Sequence, residues 1–297
     1  MTETADSMVG TSPEQARQAV AVGGYSVDRN VLAGIRQASR ATGVDFGYLM
    51  AQAAQESSFQ SNAQAGTSSA TGLYQFIDGT WLDMVREHGA KHGLGNFARH
   101  IQRDAQGTAT VADPATRKQI LELRKDPRIA AALGAEFAKG NREQLENRLQ
   151  RPVGGAELYM AHFLGANGAG KFLEAIERDG DRPAVRLLPE AAAANRNVFF
   201  DKDTGRAKSL REIYRTFQKS IDTKSQLFAG LAEPSAPARA APAPAPAPTA
   251  PPRTVAPTEW TGRYGLSTFS ILALSALEIL GPAGDPQSSS LRRLARV

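Results

Sequence analysis

One glutamate stands where a carboxyl group could transfer protons. Leu49, Met50 and Ala53 recur at helical spacing, and Glu56 lies three residues beyond Ala53 on the same apolar face. A helix here would turn the carboxyl group inward, where apolar surroundings favour its neutral form. A carboxylic acid that stays protonated near neutral pH is a candidate general acid. The alternative is a glutamate near a helix end whose side chain bends into solvent.

A second motif follows Glu56 at a defined spacing. Ser57 comes directly after it, and Gly72, sixteen positions further on, opens the run Gly-Leu-Tyr-Gln. The small residues between the two motifs predict a flexible connection. The pair of motifs resembles the signature of soluble lytic transglycosylases and goose-type lysozymes, most clearly over about 31–85. The resemblance implies that Glu56 is both catalytic acid and base and that Ser57 helps to hold it.

The same resemblance implies a glycan groove around the second motif. It predicts close approach of the backbone to a sugar at Gly72 and a polar wall at Gln75. Leu73 and Tyr74 would shape the apolar part of the groove. A surface amide is the alternative interpretation of Gln75.

A later segment is expected to supply a partner for Glu56. Members of the family carry an Ala-Tyr-Asn-Ala-Gly pattern whose tyrosine reaches the glutamate. The nearest match here is Ala-His-Phe-Leu-Gly at 161–165, with His162 in the place of the tyrosine and Tyr159 three residues earlier on about the same helical face. Whether Tyr159 or His162 meets Glu56 stays open. A third interpretation is that His162 only packs in the core.

The resemblance also implies the reaction. Most glycosidases need two carboxyl groups, whereas lytic transglycosylases use one, because the 6-hydroxyl of N-acetylmuramic acid (MurNAc) is the nucleophile. The expected activity is cleavage of the MurNAc–N-acetylglucosamine (GlcNAc) β-1,4 bond of peptidoglycan with formation of 1,6-anhydro-MurNAc. A hydrolytic muramidase and a non-catalytic peptidoglycan-binding scaffold are the alternatives. The intact motifs around Glu56 and Gln75 count against the scaffold.

Helical patterns dominate the chain from 27 to 231 and predict an all-α, lysozyme-like catalytic domain of eight or nine short helices. Asp28 and Asp45 are placed to cap the first two helices, and Gly43 is placed to end the first. Further helical runs are expected at 80–88, 114–123, 127–140, 143–149, 156–164, 170–178 and 210–227. The glycine-rich stretch from Gly165 to Gly170 is interpreted as a loop of the groove.

Three other segments surround this domain. Residues 1–26 are predicted to be a flexible N-terminal segment, and residues 232–258, rich in proline and alanine, a semi-rigid linker. Residues 259–297 are predicted to be a short tail with a helix that docks on a partner, such as a secretion or flagellar assembly protein. The alternative is a disordered tail. The apolar run 266–281 is too short for a transmembrane segment.

Composition narrows the cellular setting. The net charge of +5 suits an acidic polymer, and the basic residues are spread without a recognisable nucleic-acid module. The chain has no cysteine, so no disulfide is predicted. It also has no recognisable signal peptide, so a wall-cleaving enzyme would reach the periplasm or cell envelope by another export route. No metal or other cofactor is predicted, since His88 and His92 lack the order of a zinc-binding motif.

Overall fold

The computed structural model describes residues 19–66 and 68–232, and this part contains ten α-helices and two small antiparallel sheets. The helices are α1 Arg29–Thr42, α2 Phe46–Ser57, α3 Asp78–His88, α4 Gly95–Ala98, α5 Pro114–Glu122, α6 Pro127–Leu149, α7 Gly155–Asp179, α8 Pro189–Ala194, α9 Arg196–Phe199 and α10 Leu210–Phe228. The strands are β1 Ala19–Val22, β2 Tyr25–Asp28, β3 Ile101–Arg103 and β4 Ala109–Val111. The predicted all-α class is confirmed.

Capping residues set the ends of the first two helices. The Asp28 carboxylate accepts hydrogen bonds from the first turn of α1, and the Asp45 carboxylate accepts one from the backbone N–H of Tyr48 in α2. Gly43 ends α1 in the left-handed conformation, and its N–H returns to the carbonyl of Ser39. The three predictions made for these residues are confirmed.

Five helices form a closed ring of contacts around the core. Helix α1 packs on α6, α6 on α7, α7 on α10, α10 on α2, and α2 returns to α1. Large side chains fill the interior, among them Leu49, Met50, Phe172 and Phe217, each at most 1% exposed. This ring places the end of α2 against the first half of α7.

One pair of expected short helices is continuous, and a second pair meets at a kink. Residues 127–149 form one helix, since packing along α1 and α7 outweighs the low helix propensity of Gly140. Residues 155–179 comprise two helical segments that meet at a kink at Gly165, where φ is 71° and ψ is 156°, so the expected helix end at Leu164 is confirmed. The prediction of a loop from Gly165 to Gly170 is therefore wrong, because all but the first of these residues continue the helix.

The sequence patterns missed a hairpin at the start of the domain. Strands β1 and β2 pair through a turn at Gly23 and Gly24, and the ring of Tyr25 packs against Phe228 at a centroid distance of 5.5 Å. Residues 19–26 therefore differ from the expected flexible segment, because they pair with each other and pack on α10. Residues 1–18, most of the linker and the tail lie outside the described residues.

The lengths and hydropathy of the helices decide whether any of them could span a membrane. Within residues 19–66 and 68–232, every helix is too short or too polar to cross a bilayer. The apolar run 266–281 falls outside these ranges.

Candidate active site

Glu56 occupies the last turn of α2, and its side chain points into the protein. The Glu56 side chain is 1% exposed, so the remaining exposure of this partly buried residue belongs to its backbone. Leu49 and Ala53, on the same face of the helix, are fully buried. The structure thus contradicts the alternative in which the side chain bends into solvent.

The chain reverses direction directly after Glu56. Ser58 and Phe59 both have positive φ, 50° and 67°, a conformation that is unfavourable for residues other than glycine. The Phe59 ring compensates by packing edge-on against Tyr25 and Phe228, at centroid distances of 5.5 and 5.3 Å. The hairpin and the last helix therefore hold the end of the helix that carries Glu56.

Two side chains of α7 converge on one carboxyl oxygen. The Tyr159 hydroxyl donates a hydrogen bond to Glu56 Oε1 at 3.3 Å, and His162 Nε2 lies 3.2 Å from the same oxygen. Their rings stack with 5.9 Å between centroids. The sequence left open which of these residues meets Glu56, and in the structure both do.

The electrostatic surroundings keep the tyrosines near Glu56 protonated. Burial raises the pKa of Tyr159 well above its ordinary value, and the negative charge of Glu56 raises it further. Burial and the same charge also raise the pKa of Tyr48. Tyr159 is thus a neutral hydrogen-bond donor near neutral pH.

Ser57 joins helix α2 to the second motif. Its hydroxyl lies 2.9 Å from the carbonyl oxygen of Leu73 and 3.2 Å from that of Ala53. The first contact crosses between two segments of chain, and the second lies within α2. This arrangement supports the expectation that Ser57 helps to hold Glu56.

Gly72 and Gln75 both hold the turn that contains them. Gly72 has a φ of 85°, and a Cβ atom there would collide with the carbonyl oxygen of Arg124. The Gln75 amide nitrogen donates to the carbonyl oxygens of Gly72 and Ala63 at 2.9 and 3.2 Å. The close approach at Gly72 in the structure is to protein backbone, and the contacts that both residues were expected to make with a sugar stay predictions.

Leu73 and Tyr74 lie in the core. They are 0% and 1% exposed, and the Tyr74 hydroxyl donates to the carbonyl oxygen of Leu49 at 3.2 Å. Gly134 of α6 lies against the Tyr74 ring, so closely that a Cβ atom there would be 2.9 Å from it. The expectation that these side chains form the surface of a groove is corrected, because both are covered by other helices and can only support such a surface from beneath.

Arg124 holds the chain on both sides of the Gly72–Gln75 run. It is 7% exposed, and its guanidinium donates to the carbonyl oxygens of Ser69 and Phe76 and to the Asp78 carboxylate, at 2.8 to 2.9 Å. Asp78, at the start of α3, also pairs with Arg117 at 2.7 Å. Asp78 thus has a structural role, as its place at a helix start indicates.

The sequence patterns did not single out Gln52 or Phe137. Gln52 is 3% exposed, and its amide nitrogen lies 3.1 Å from His162 Nδ1. Phe137 of α6 meets the His162 ring edge-on at 6.2 Å. A polar residue one helical turn before Glu56, on the same apolar face, was the available signal for Gln52.

Two other histidines lie beside a buried carboxylate. His88 and His92 lie 3.6 and 3.3 Å from the carboxylate of Glu136, with Lys91 3.6 Å from it. In the part of the chain that the structure describes, no group of three or more histidine, aspartate or glutamate side chains is arranged to hold a metal ion.

A comparison with protein families agrees with this geometry. Residues 34–96 match the family model described as the transglycosylase SLT domain. This part of the chain is similar to SLT domains. The match includes Glu56 and the Gly72–Gln75 turn and ends before α7, so it does not cover Tyr159 or His162. An SLT domain supports peptidoglycan cleavage of the lytic transglycosylase type in general, and the helical architecture agrees with a lysozyme-like fold.

Proposed function

We propose that this protein is a lytic transglycosylase that cleaves the MurNAc–GlcNAc β-1,4 bond of peptidoglycan and leaves a 1,6-anhydro-MurNAc end. The observation that carries the proposal is the Glu56 side chain, 1% exposed at the end of α2 in the SLT domain and contacted by the side chains of Tyr159 and His162. The polar partners that the described residues give this carboxyl group include no second carboxylate.

One carboxyl group is enough for this reaction if it acts twice. Glu56 first gives its proton to the bridging oxygen while the bond from that oxygen to C1 of MurNAc breaks. The resulting carboxylate then accepts the proton of the 6-hydroxyl as O6 forms a bond to C1. The proton count on Glu56 is restored, and no water is consumed.

The donors around Glu56 support the first proton transfer. Tyr159 donates a hydrogen bond to Oε1, and His162 Nε2 lies 3.2 Å from the same oxygen. Both groups are placed to stabilise the negative charge that appears on this oxygen after the transfer. Leu49 and Ala53, on the same face of α2, are fully buried, so the carboxyl group lies away from bulk water.

The wider setting is also proposed. A net charge of +5 suits an anionic wall polymer. A place in the periplasm or cell envelope, and local wall opening for a flagellar or secretion apparatus, would follow from the activity together with the proline-rich linker and tail. Both of these segments lie almost entirely outside the described residues.

The test is mass spectrometry of purified peptidoglycan digested by the wild type, by Glu56→Gln and by Glu190→Gln. Glu190 is exposed on α8, so its variant is a matched control. We expect anhydro-muropeptides from the wild type and the control, and a rate lower by about 10²- to 10⁴-fold for Glu56→Gln.

Other products would contradict the proposal. Reducing-end products, each heavier by one water, would identify a hydrolytic muramidase. Tight binding to peptidoglycan without any cleavage would identify a scaffold. Equal rates for Glu56→Gln and the wild type would show that another residue is the acid.

A further inference from the structure

Gln52 is a buried amide that reaches the functional centre through His162. It lies one helical turn before Glu56 on α2 and is 3% exposed. Its Nε2 is 3.1 Å from His162 Nδ1, whereas its Oε1 has no hydrogen-bond partner among the described residues. The interaction of Gln52 with the imidazole therefore runs through its nitrogen, which can only donate.

This contact determines where a neutral imidazole carries its hydrogen. A neutral histidine has one N–H and one acceptor nitrogen. If Nδ1 accepts from Gln52, the hydrogen is on Nε2, which is the nitrogen 3.2 Å from Glu56 Oε1. Tyr159 donates to the same oxygen. The Nε2–Oε1 contact is close but lacks the alignment of a hydrogen bond. An N–H at Nε2 and the Tyr159 O–H both face Oε1 and therefore disfavour an acid proton on that atom.

We propose that Gln52 is a positioning residue, which holds His162 in the tautomer with hydrogen on Nε2 and thereby keeps the transferable proton of Glu56 on Oε2. The part of this inference that concerns turnover rests on the proposed function. The part that concerns the tautomer rests on the contacts alone.

The opposite tautomer shows why the amide matters. With hydrogen on Nδ1, Nε2 becomes an acceptor that faces Glu56 Oε1. A proton on Oε1 would then be shared with His162 Nε2 and would be held back from transfer. Gln52 separates these two states, because its N–H stabilises the first and opposes the second.

The tautomer can be measured in the intact protein by ¹⁵N NMR of histidine-labelled wild type. The chain has four histidines, and His162 is assigned as the ring that disappears in His162→Asn. We expect a protonated Nε2 and an unprotonated Nδ1 for His162. A protonated Nδ1 in the neutral ring would overturn the inference without any variant of Gln52.

Two substitutions test the effect on turnover. Gln52→Glu replaces the donor by an acceptor, so we expect hydrogen on Nδ1 of His162 and a kcat about 10- to 100-fold lower, by analogy with the loss of partners that orient metal-binding histidines. KM should change little, since Gln52 is buried. Gln37→Glu makes the same change on an exposed side chain of α1 and serves as the control.

A double-mutant cycle separates positioning from a merely structural role. Gln52→Met should lower kcat in the wild type but not in the His162→Tyr background, because a tyrosine has no tautomer to select. Equal losses in both backgrounds would overturn the inference. If wild-type protein releases no muropeptides, the proposed function fails, and the NMR experiment still decides the tautomer.

Discussion

The two sides of the candidate site hold their functional groups by different means. The motif side, residues 46–76, is fixed largely through its backbone: Ser57 bonds to the carbonyl of Leu73, Gln75 to that of Gly72, and Gly72 lies against Arg124. The helix side, residues 155–165 of α7, supplies the two side chains that meet Glu56 from regular helical positions.

This difference explains where a family signature can be recognised. A turn that depends on a positive φ and on particular backbone contacts accepts few residue types, so it appears as a motif. A helix accepts many residues, and only the atoms that reach Glu56 matter. The family match includes the functional residues of the motif side and ends before the helix side.

The largest effect on stability is expected for Gly72→Ala. Strain at positive φ and a collision with the Arg124 carbonyl should together lower the free energy of unfolding by about 3 kcal/mol or more, measured by urea denaturation. Gly93→Ala is the control, since Gly93 has a φ of 77° with nothing near its Cβ position, and it should lose only about 1 to 2 kcal/mol. Equal losses would show that the close approach is unimportant.

The helix side also contains a glycine with positive φ, Gly165. Gly165→Ala should lower the free energy of unfolding by about 1 to 3 kcal/mol, because its φ of 71° and ψ of 156° are accessible almost only to glycine. Urea denaturation of Gly165→Ala and Gly72→Ala under the same conditions would show which side of the site loses more stability. A loss for Gly165→Ala larger than that for Gly72→Ala would contradict the contrast drawn above.

Alkaline unfolding compares the buried tyrosines of the two sides. Burial raises the pKa of Tyr48 and Tyr74 on the motif side and of Tyr159 on the helix side, so the folded protein keeps protons that the unfolded chain releases above about pH 10. Stability is unaffected by these groups below that pH. Above it, stability should fall by up to about 1.4 kcal/mol per pH unit for each phenol.

Each of the three phenols should contribute equally to the decrease of the unfolding free energy with pH. Tyr159→Phe should therefore make this decrease less steep by one such contribution, and Tyr74→Phe should have the same effect. Denaturant titrations at several alkaline pH values would measure both. An unchanged slope in Tyr159→Phe would mean that this phenol ionises in the folded protein, and hence that its contact with Glu56 is not held.

The smallest effect on stability is expected for the hydrogen bond that links the two motifs, from Ser57 to the carbonyl oxygen of Leu73. Ser57→Ala removes the hydroxyl that bonds to Leu73 and should lower the free energy of unfolding by about 1 kcal/mol. Ser58→Ala, at the exposed next residue, should change it much less. If Ser57→Ala is equally harmless, this hydrogen bond contributes nothing to stability.

The sequence predicts local features of this molecule well. Asp28, Gly43 and Asp45 define helix ends through contacts with residues two to four positions away, so their patterns are sufficient. The inward orientation of Glu56 follows from helical spacing for the same reason. The resemblance of the motifs agrees with the family match at residues 34–96.

What the sequence does not predict depends on contacts between distant segments. Gln52 and His162 are 110 positions apart, and no local pattern shows that they meet. Leu73 and Tyr74 belong to the motif, yet only the packing of α6 over Tyr74 shows that they lie in the core. The hairpin before α1 is too short for a clear alternation of apolar and polar residues and depends on Phe228 for its packing.

The hairpin and α1 also bring the first and last described residues close together. Tyr25 packs on Phe228, and Arg36 donates to the carbonyl oxygen of Leu231 at 2.6 and 2.9 Å, so the first and last parts of the described residues pack together. A unit whose ends lie close together can be inserted into a surface loop of another protein or circularly permuted. We therefore expect this part of the chain to tolerate both changes.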